Sequence, residues 1–155
     1  MKVKDIWIKD KQYQLVSDFR DDEEMREKFY QLPKEFFGVD FKAWYELGCW
    51  GEGYNPHCLL YQGEVVSNIG VAHQEYIIDG QIKKIIQLGS VGTWKQYRGE
   101  GLSRCLMEYV IQKYKNENDA IILFGNDSVV EFYPKFGFKS TKEYCAVRYI
   151  NLMDL

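Results

Sequence analysis

Gln96-Tyr97-Arg98-Gly99-Glu100-Gly101 stands between an apolar, strand-like run and a segment of helical periodicity, and that junction constrains the chain more than any other stretch. Leu102, Cys105, Leu106, Tyr109 and Val110 fall at i, i+3, i+4, i+7 and i+8, which predicts a helix over 102–114 with one apolar stripe. Glycines at 99 and 101 allow a sharp turn that brings backbone N–H groups up to the positive end of that helix. This is the arrangement of an anion-binding loop, and the ligand it implies carries phosphate. A helix dipole contributes about 0.3–1 kcal/mol per charge, whereas hydrogen bonds to a charged group contribute about 1.5–3 kcal/mol each, so converging amides would do most of the holding. The third glycine of a dinucleotide fingerprint is missing, no strand ends in an acidic residue at the usual distance, and the Gly-Lys-Ser/Thr of a P-loop is absent.

With 155 residues and 46% apolar composition the chain is expected to form one domain, 1–155, with a core that needs no staples. The net charge of −3 and the lack of any Lys/Arg block give no footprint for nucleic acid. Cys49, Cys58, Cys105 and Cys145 form no CxxC pair and read as reduced thiols. His57 and His73 stand without HExxH or paired-cysteine spacing, so no metal is expected. No apolar run approaches the ~18 residues of a membrane span, and the first residues lack the apolar core of a signal peptide, which points to a cytoplasmic protein. Monomer and homodimer both remain open.

Along the chain, residues 3–17 read as one or two short strands, and 21–32 as a helix opened by Asp21, Asp22, Glu23 and Glu24 and ended by Pro33. Residues 36–54 crowd seven aromatic rings among Asp40, Glu46 and Glu52. Either a second helix packs those rings inward, the favoured reading, or they wall a substrate entrance where carboxylates attract a cation. Strands then follow over 57–62, 65–78 and 81–91, with Asp79-Gly80 as a hairpin turn. The wholly apolar run 120–124 reads as a central strand buried on both faces. Ser128-Val129-Val130-Glu131 has capping-box spacing for a short helix closed by Gly137, with Pro134 kinking its last turn, and 138–150 alternates as a final strand.

The loop Gln96 to Gly101, the helix and buried strand after it, and then Asn126, Val129, Phe132, Tyr133, Gly137 and Phe138 together resemble two motifs of the GNAT superfamily of N-acetyltransferases, in the same order and separation. Coverage by the resemblance is good from about His57 onward and poor before it. Residues 91–99 further resemble the first domain of the enhanced-intracellular-survival type of acetyltransferase, which commonly has proline where this chain has Lys95. Proteins of that type carry further C-terminal domains, so a fragment or a short relative is one expectation. The fold implied is α/β (α+β): a central mixed, mostly antiparallel, twisted sheet of six to seven strands, splayed in the middle and flanked by about four helices.

The resemblance also implies a chemistry. Acetyl-CoA would be the co-substrate, its pantetheine arm bonded by the main chain of Val91, Gly92 and Thr93. Gln96, Arg98, Gly99, Glu100, Gly101, Leu102 and Ser103 would form the diphosphate loop, and Asn126 would help fix the arm. A neutral amine of a small molecule or peptide would attack the thioester directly, with Tyr133 as proton donor to the departing thiolate. For the base, His73, Glu75 and a water chain are the alternatives; pairing through Asp79-Gly80 sets His73 opposite Ile86 on a core-like face, which favours a buried histidine. The alternative function is an acyl-CoA-binding sensor or subunit of the same fold without catalysis.

Overall fold

The computed structural model describes residues 1–142. Residues 1–124 form one compact unit, and the remainder from Gly125 belongs to a second. The first unit is built on a six-stranded sheet in which sequence order is spatial order. Its strands are β1 Lys2–Ile8, β2 Lys11–Ser17, β3 His57–Tyr61, β4 Glu64–Ile78, β5 Gln81–Thr93 and β6 Ala120–Leu123. Every neighbouring pair is antiparallel except β5 with β6, which is parallel because α3, Leu102–Tyr114, carries the chain back between them. At the β4–β5 turn Asp79 and Gly80 take φ of 51° and 76°, the two left-handed residues that an Asp-Gly hairpin supplies.

On one side of the sheet, α1 (Glu23–Phe37) and α2 (Phe41–Glu46) close over an aromatic core. Asp22 caps α1 by accepting from the Met25 N–H at 2.9 Å, and Gly38, at φ 66°, ends it by donating to the Lys34 carbonyl. The expectation that Pro33 lies past the end is corrected: Pro33 is inside α1 and buried. It cannot donate to the Phe29 carbonyl, yet the helix continues because the turn beyond it is held by packing, with Phe36 5.1 Å from Trp94. Phe29, Phe41, Trp50 and Phe19 form a cluster with ring centroids 5.1–6.2 Å apart, joined by Trp44 and Tyr54. The favoured reading of the aromatic stretch, packing inward, describes these rings.

On the other side α3 lies mainly across β3, β4 and β5, burying Leu102, Leu106, Met107 and Val110. The run 120–124 departs from expectation. Ala120 to Leu123 are half-buried and Phe124 is exposed, because α3 covers the strands beside β6 rather than β6 itself, and β6 pairs only with β5 among the described residues.

In the second unit the short helix expected ahead of Gly137 is a 3-10 helix, Asp127–Phe136. Pro134 has no N–H to return to Val130, so i to i+4 bonding cannot run through the segment, and Gly137 closes it at φ 88° by donating to the Pro134 carbonyl at 3.1 Å. Residues 138–142 have no regular structure, and the rest of the expected final strand lies outside the described residues.

Candidate functional site

β4 and β5 pair in register from Asn68 with Gly92, but Gly70 faces Gly89, so Ile69 alone opposes both Ser90 and Val91. That is a β-bulge with its extra residue in β5, and Ser90 takes a left-handed φ of 48° to make it. Asn68, fully buried beside Ser67 in a mostly apolar run, holds the bulge by donating from Nδ2 to the Ser90 carbonyl at 2.7 Å. On its other edge β5 is paired with β6 only up to Leu88 with Leu123. From Gly89 to Thr93 that edge has no strand beside it among the described residues, which is the splay expected of the sheet. An extended chain bearing amides could bond there as an added strand would.

The end of this open edge is joined firmly to the glycine loop. Thr93 Oγ1 lies 2.7 Å from both the Ser67 and Ser103 hydroxyls, and Ser67 Oγ also donates to the Gly92 carbonyl at 2.9 Å. This hydroxyl chain ties β4, β5 and the first turn of α3 together. A 3-10 turn at Lys95–Tyr97 places Gln96 on the surface, and Arg98 donates from Nε to the Thr93 carbonyl at 3.3 Å. Gly99 and Gly101 sit at φ 80° and 91°, and a Cβ at either would meet nothing within 4 Å. The loop is therefore open to solvent and glycine-dependent for conformation rather than for space. Gly101 starts α3 without a side-chain cap, so the leading N–H groups of the helix have no intrahelical acceptor. Such a loop could receive an anionic group, and the β5 edge beside it, free of a neighbouring strand among the described residues, could bond an extended chain bearing amides.

Val91, Gly92, Thr93, Gln96, Arg98, Gly99, Glu100, Gly101, Leu102 and Ser103 thus converge on one strand-loop-helix junction. Two of them do something the sequence reading did not include. A Cβ on Gly92 would lie 2.6 Å from Leu32 Cδ2, so any larger residue here would have to displace the buried Leu32 side chain of α1. Glu100 turns its carboxylate away, accepting from Lys11 Nζ at 2.8 Å and from the Tyr13 hydroxyl at 2.7 Å. Asn126 and Tyr133 belong to the second unit. There the Asn126 carbonyl accepts from Val129, and Tyr133 is buried with ring contacts to Phe132 at 5.5 Å and Phe138 at 6.1 Å. Burial pushes the Tyr133 phenol above its ordinary value.

His73 faces Ile86 as the pairing predicted, but it is exposed rather than buried, set edge-on to Tyr114 at 5.2 Å where β4 runs out beyond the core. The buried histidine is His57, 0% exposed and 2.9 Å from the Tyr114 hydroxyl. Burial, with Lys113 nearby, lowers its pKa to about 3. Glu75 is exposed opposite Lys84. Glu52 borders a cleft of about 200 Å³ together with Asp18 and Asp21, while Glu46 lies at the exposed end of α2. Asn68, Lys11 and Tyr13 escaped the sequence reading; an Asn and a Ser inside the apolar run Val65–Val71 were the available signal for the first.

The sequence model of the family described as "Acetyltransferase (GNAT) domain" matches residues 22–141. No curated protein matches the sequence. Among solved structures, an acetyltransferase of Trypanosoma brucei superposes with a TM-score of 0.68 at 17% identity, covering 88% of this chain and 99% of that one. Glucosamine-6-phosphate N-acetyltransferase from Arabidopsis thaliana gives 0.65 at 16% identity, covering 90% and 99%. An aminoglycoside N-acetyltransferase in complex with CoA gives 0.70 at 12% identity, covering 88% and 94%. At these identities the likeness is one of fold.

Proposed function

Since the chain belongs to the GNAT acetyltransferase family, we propose that it transfers the acetyl group of acetyl-CoA to a primary amine of a small molecule or peptide, by direct attack within a ternary complex. The observation that carries this reading is the junction itself: a β5 edge with no strand beside it among the described residues, at a bulge, running through two left-handed glycines into a helix start without a side-chain cap. Acetyl-CoA supplies the acyl group already activated as a thioester. The amides at 98–103 bind its diphosphate, and Val91 to Thr93 orient the arm. The similar structures include enzymes named for glucosamine-6-phosphate and for aminoglycosides, both of which carry amines, in keeping with an amine acceptor here.

Two protons have to move. A primary amine of pKa about 10.4 is neutral in only a few molecules per ten thousand at pH 7, so an acceptor for its proton is needed. Water, His73 or Glu75 serves; desolvation of the imidazole, with Lys113 nearby, lowers the His73 pKa and so favours the neutral ring that can accept a proton. The Tyr133 Oη–H donates to the departing sulfur, and its raised pKa keeps it protonated until then.

Incubation of the pure protein with acetyl-CoA and a panel of amines, read as free thiol, tests the proposal. Thiol release with at least one amine is expected, and Tyr133→Phe should lower kcat on the order of 10²-fold while leaving CoA affinity unchanged. CoA binding with no turnover on any amine would favour an acyl-CoA sensor or subunit instead. Failure to bind CoA would remove both.

A further inference from the structure

Resting on the reading of residues 98–103 as a coenzyme diphosphate loop, we propose that Lys11, with Tyr13, is a positioning residue for that loop: the pair draws the Glu100 carboxylate out of the anion site and ties the loop to the β1–β2 hairpin. A glutamate between the two glycines is an awkward residue for a site that receives phosphate, because its charge repels the ligand at short range. Both of its oxygens are instead taken. Lys11 Nζ binds Oε1 at 2.8 Å and the Tyr13 hydroxyl donates to Oε2 at 2.7 Å. Lys11 and Tyr13 stand at i and i+2 of β2, so the strand presents both to the same side.

A third bond acts on the backbone. Lys9 Nζ donates to the Gly99 carbonyl at 3.2 Å, turning that oxygen toward the hairpin. In a trans peptide the next N–H points the opposite way, so the Glu100 amide is aimed away from the hairpin, toward the open side of the loop. The hairpin thus holds the Gly99 carbonyl and the Glu100 carboxylate and leaves the Glu100 amide facing the other way. Its own support is rigid: Tyr13 is 1% exposed and lies 5.1 Å from Tyr61, which in turn is 6.0 Å from Tyr97 in the 3-10 turn before the loop. The bonds from Lys11 and Tyr13 hold the Glu100 carboxyl below its ordinary pKa, in keeping with a carboxylate stabilised by these partners.

CoA binding by calorimetry on the full chain, with thermal unfolding of each variant read alongside, tests the assignment. Lys11→Met leaves the carboxylate without its cation and should weaken CoA binding about tenfold, and Lys11→Met with Glu100→Gln should recover affinity to within about threefold of wild type. A purely structural role would not be repaired by the second substitution. Wild-type affinity in Lys11→Met, or a double variant no tighter than Lys11→Met, overturns the proposal while leaving the loop assignment intact. Should Lys11→Met not fold, Tyr13→Phe keeps the ring and removes one bond; a loss of about threefold is expected and unchanged binding overturns it. Wild-type protein that does not bind CoA overturns the loop reading and this proposal together.

Discussion

His57 illustrates how residue-scale chemistry is set by neighbours that lie far away in sequence. Its ring is enclosed by Tyr109 and Tyr114 of α3, with Nε2 2.9 Å from the Tyr114 hydroxyl, and its pKa falls to about 3. Between the ordinary value near 6.5 and about 3 the folded protein therefore binds fewer protons than the unfolded chain. The stability that neutral His57 contributes is whole above the ordinary value and is lost as pH falls. From pH 7 to pH 5 the loss should be about 2 kcal/mol from this residue, seen as the difference in denaturant unfolding between wild type and His57→Gln over that interval. Equal pH dependence in the two proteins would show that the ring is not buried neutral. Sequence pattern favoured His73 as the buried histidine because strand alternation fixes a face but not where along a long strand the covering helix stops. The partners of Glu100 were hidden for a similar reason: Lys11 and Tyr13 are 89 and 87 residues away.

At the scale of elements, local chemistry was legible wherever it decides the outcome locally. Helix α3 has the expected bounds because its stripe and its glycines act within a few residues, and the Asp79-Gly80 turn follows from left-handed propensity alone. Pro33 inside α1 and the half-buried β6 were misread because tertiary packing determines both: Phe36 and Phe37 extend one, and the placement of α3 limits the cover of the other. The glycines show the same division. At Gly101 a methyl group meets no atom within 4 Å, so Gly101→Ala carries only backbone strain from φ 91°, about 1 kcal/mol or slightly more. At Gly92 the added Cβ strikes Leu32, and overpacking there should cost about 1–3 kcal/mol. Denaturant melts rank the two. Coenzyme titration separates them in the opposite sense, since per unit of lost stability Gly101→Ala should weaken CoA binding more. Unchanged CoA affinity in Gly101→Ala would argue that the start of α3 is not the anion site.

For the whole molecule, the choice between direct transfer and a covalent acyl-enzyme depends on whether any nucleophile is prepared for it. Cys58 is buried, and burial pushes its thiol far up; Cys105 is half-buried and likewise pushed up, with Glu108 adding to the effect. Cys49 is exposed at the end of α2, donating weakly to the Leu47 carbonyl at 3.8 Å, and Cys145 lies outside the described residues. A thiol serves as a nucleophile when a cation, a helix N-terminus or a base lowers its pKa, and the shifts at Cys58 and Cys105 run the other way. Transfer should therefore need both substrates bound at once. Initial rates measured against acetyl-CoA at several amine concentrations should give intersecting rather than parallel reciprocal lines. Intact mass after incubation with acetyl-CoA alone should show no acetyl increment. Parallel lines with an acetylated cysteine would replace direct attack by a two-step exchange and would move the search for the essential residue from Tyr133 to that thiol.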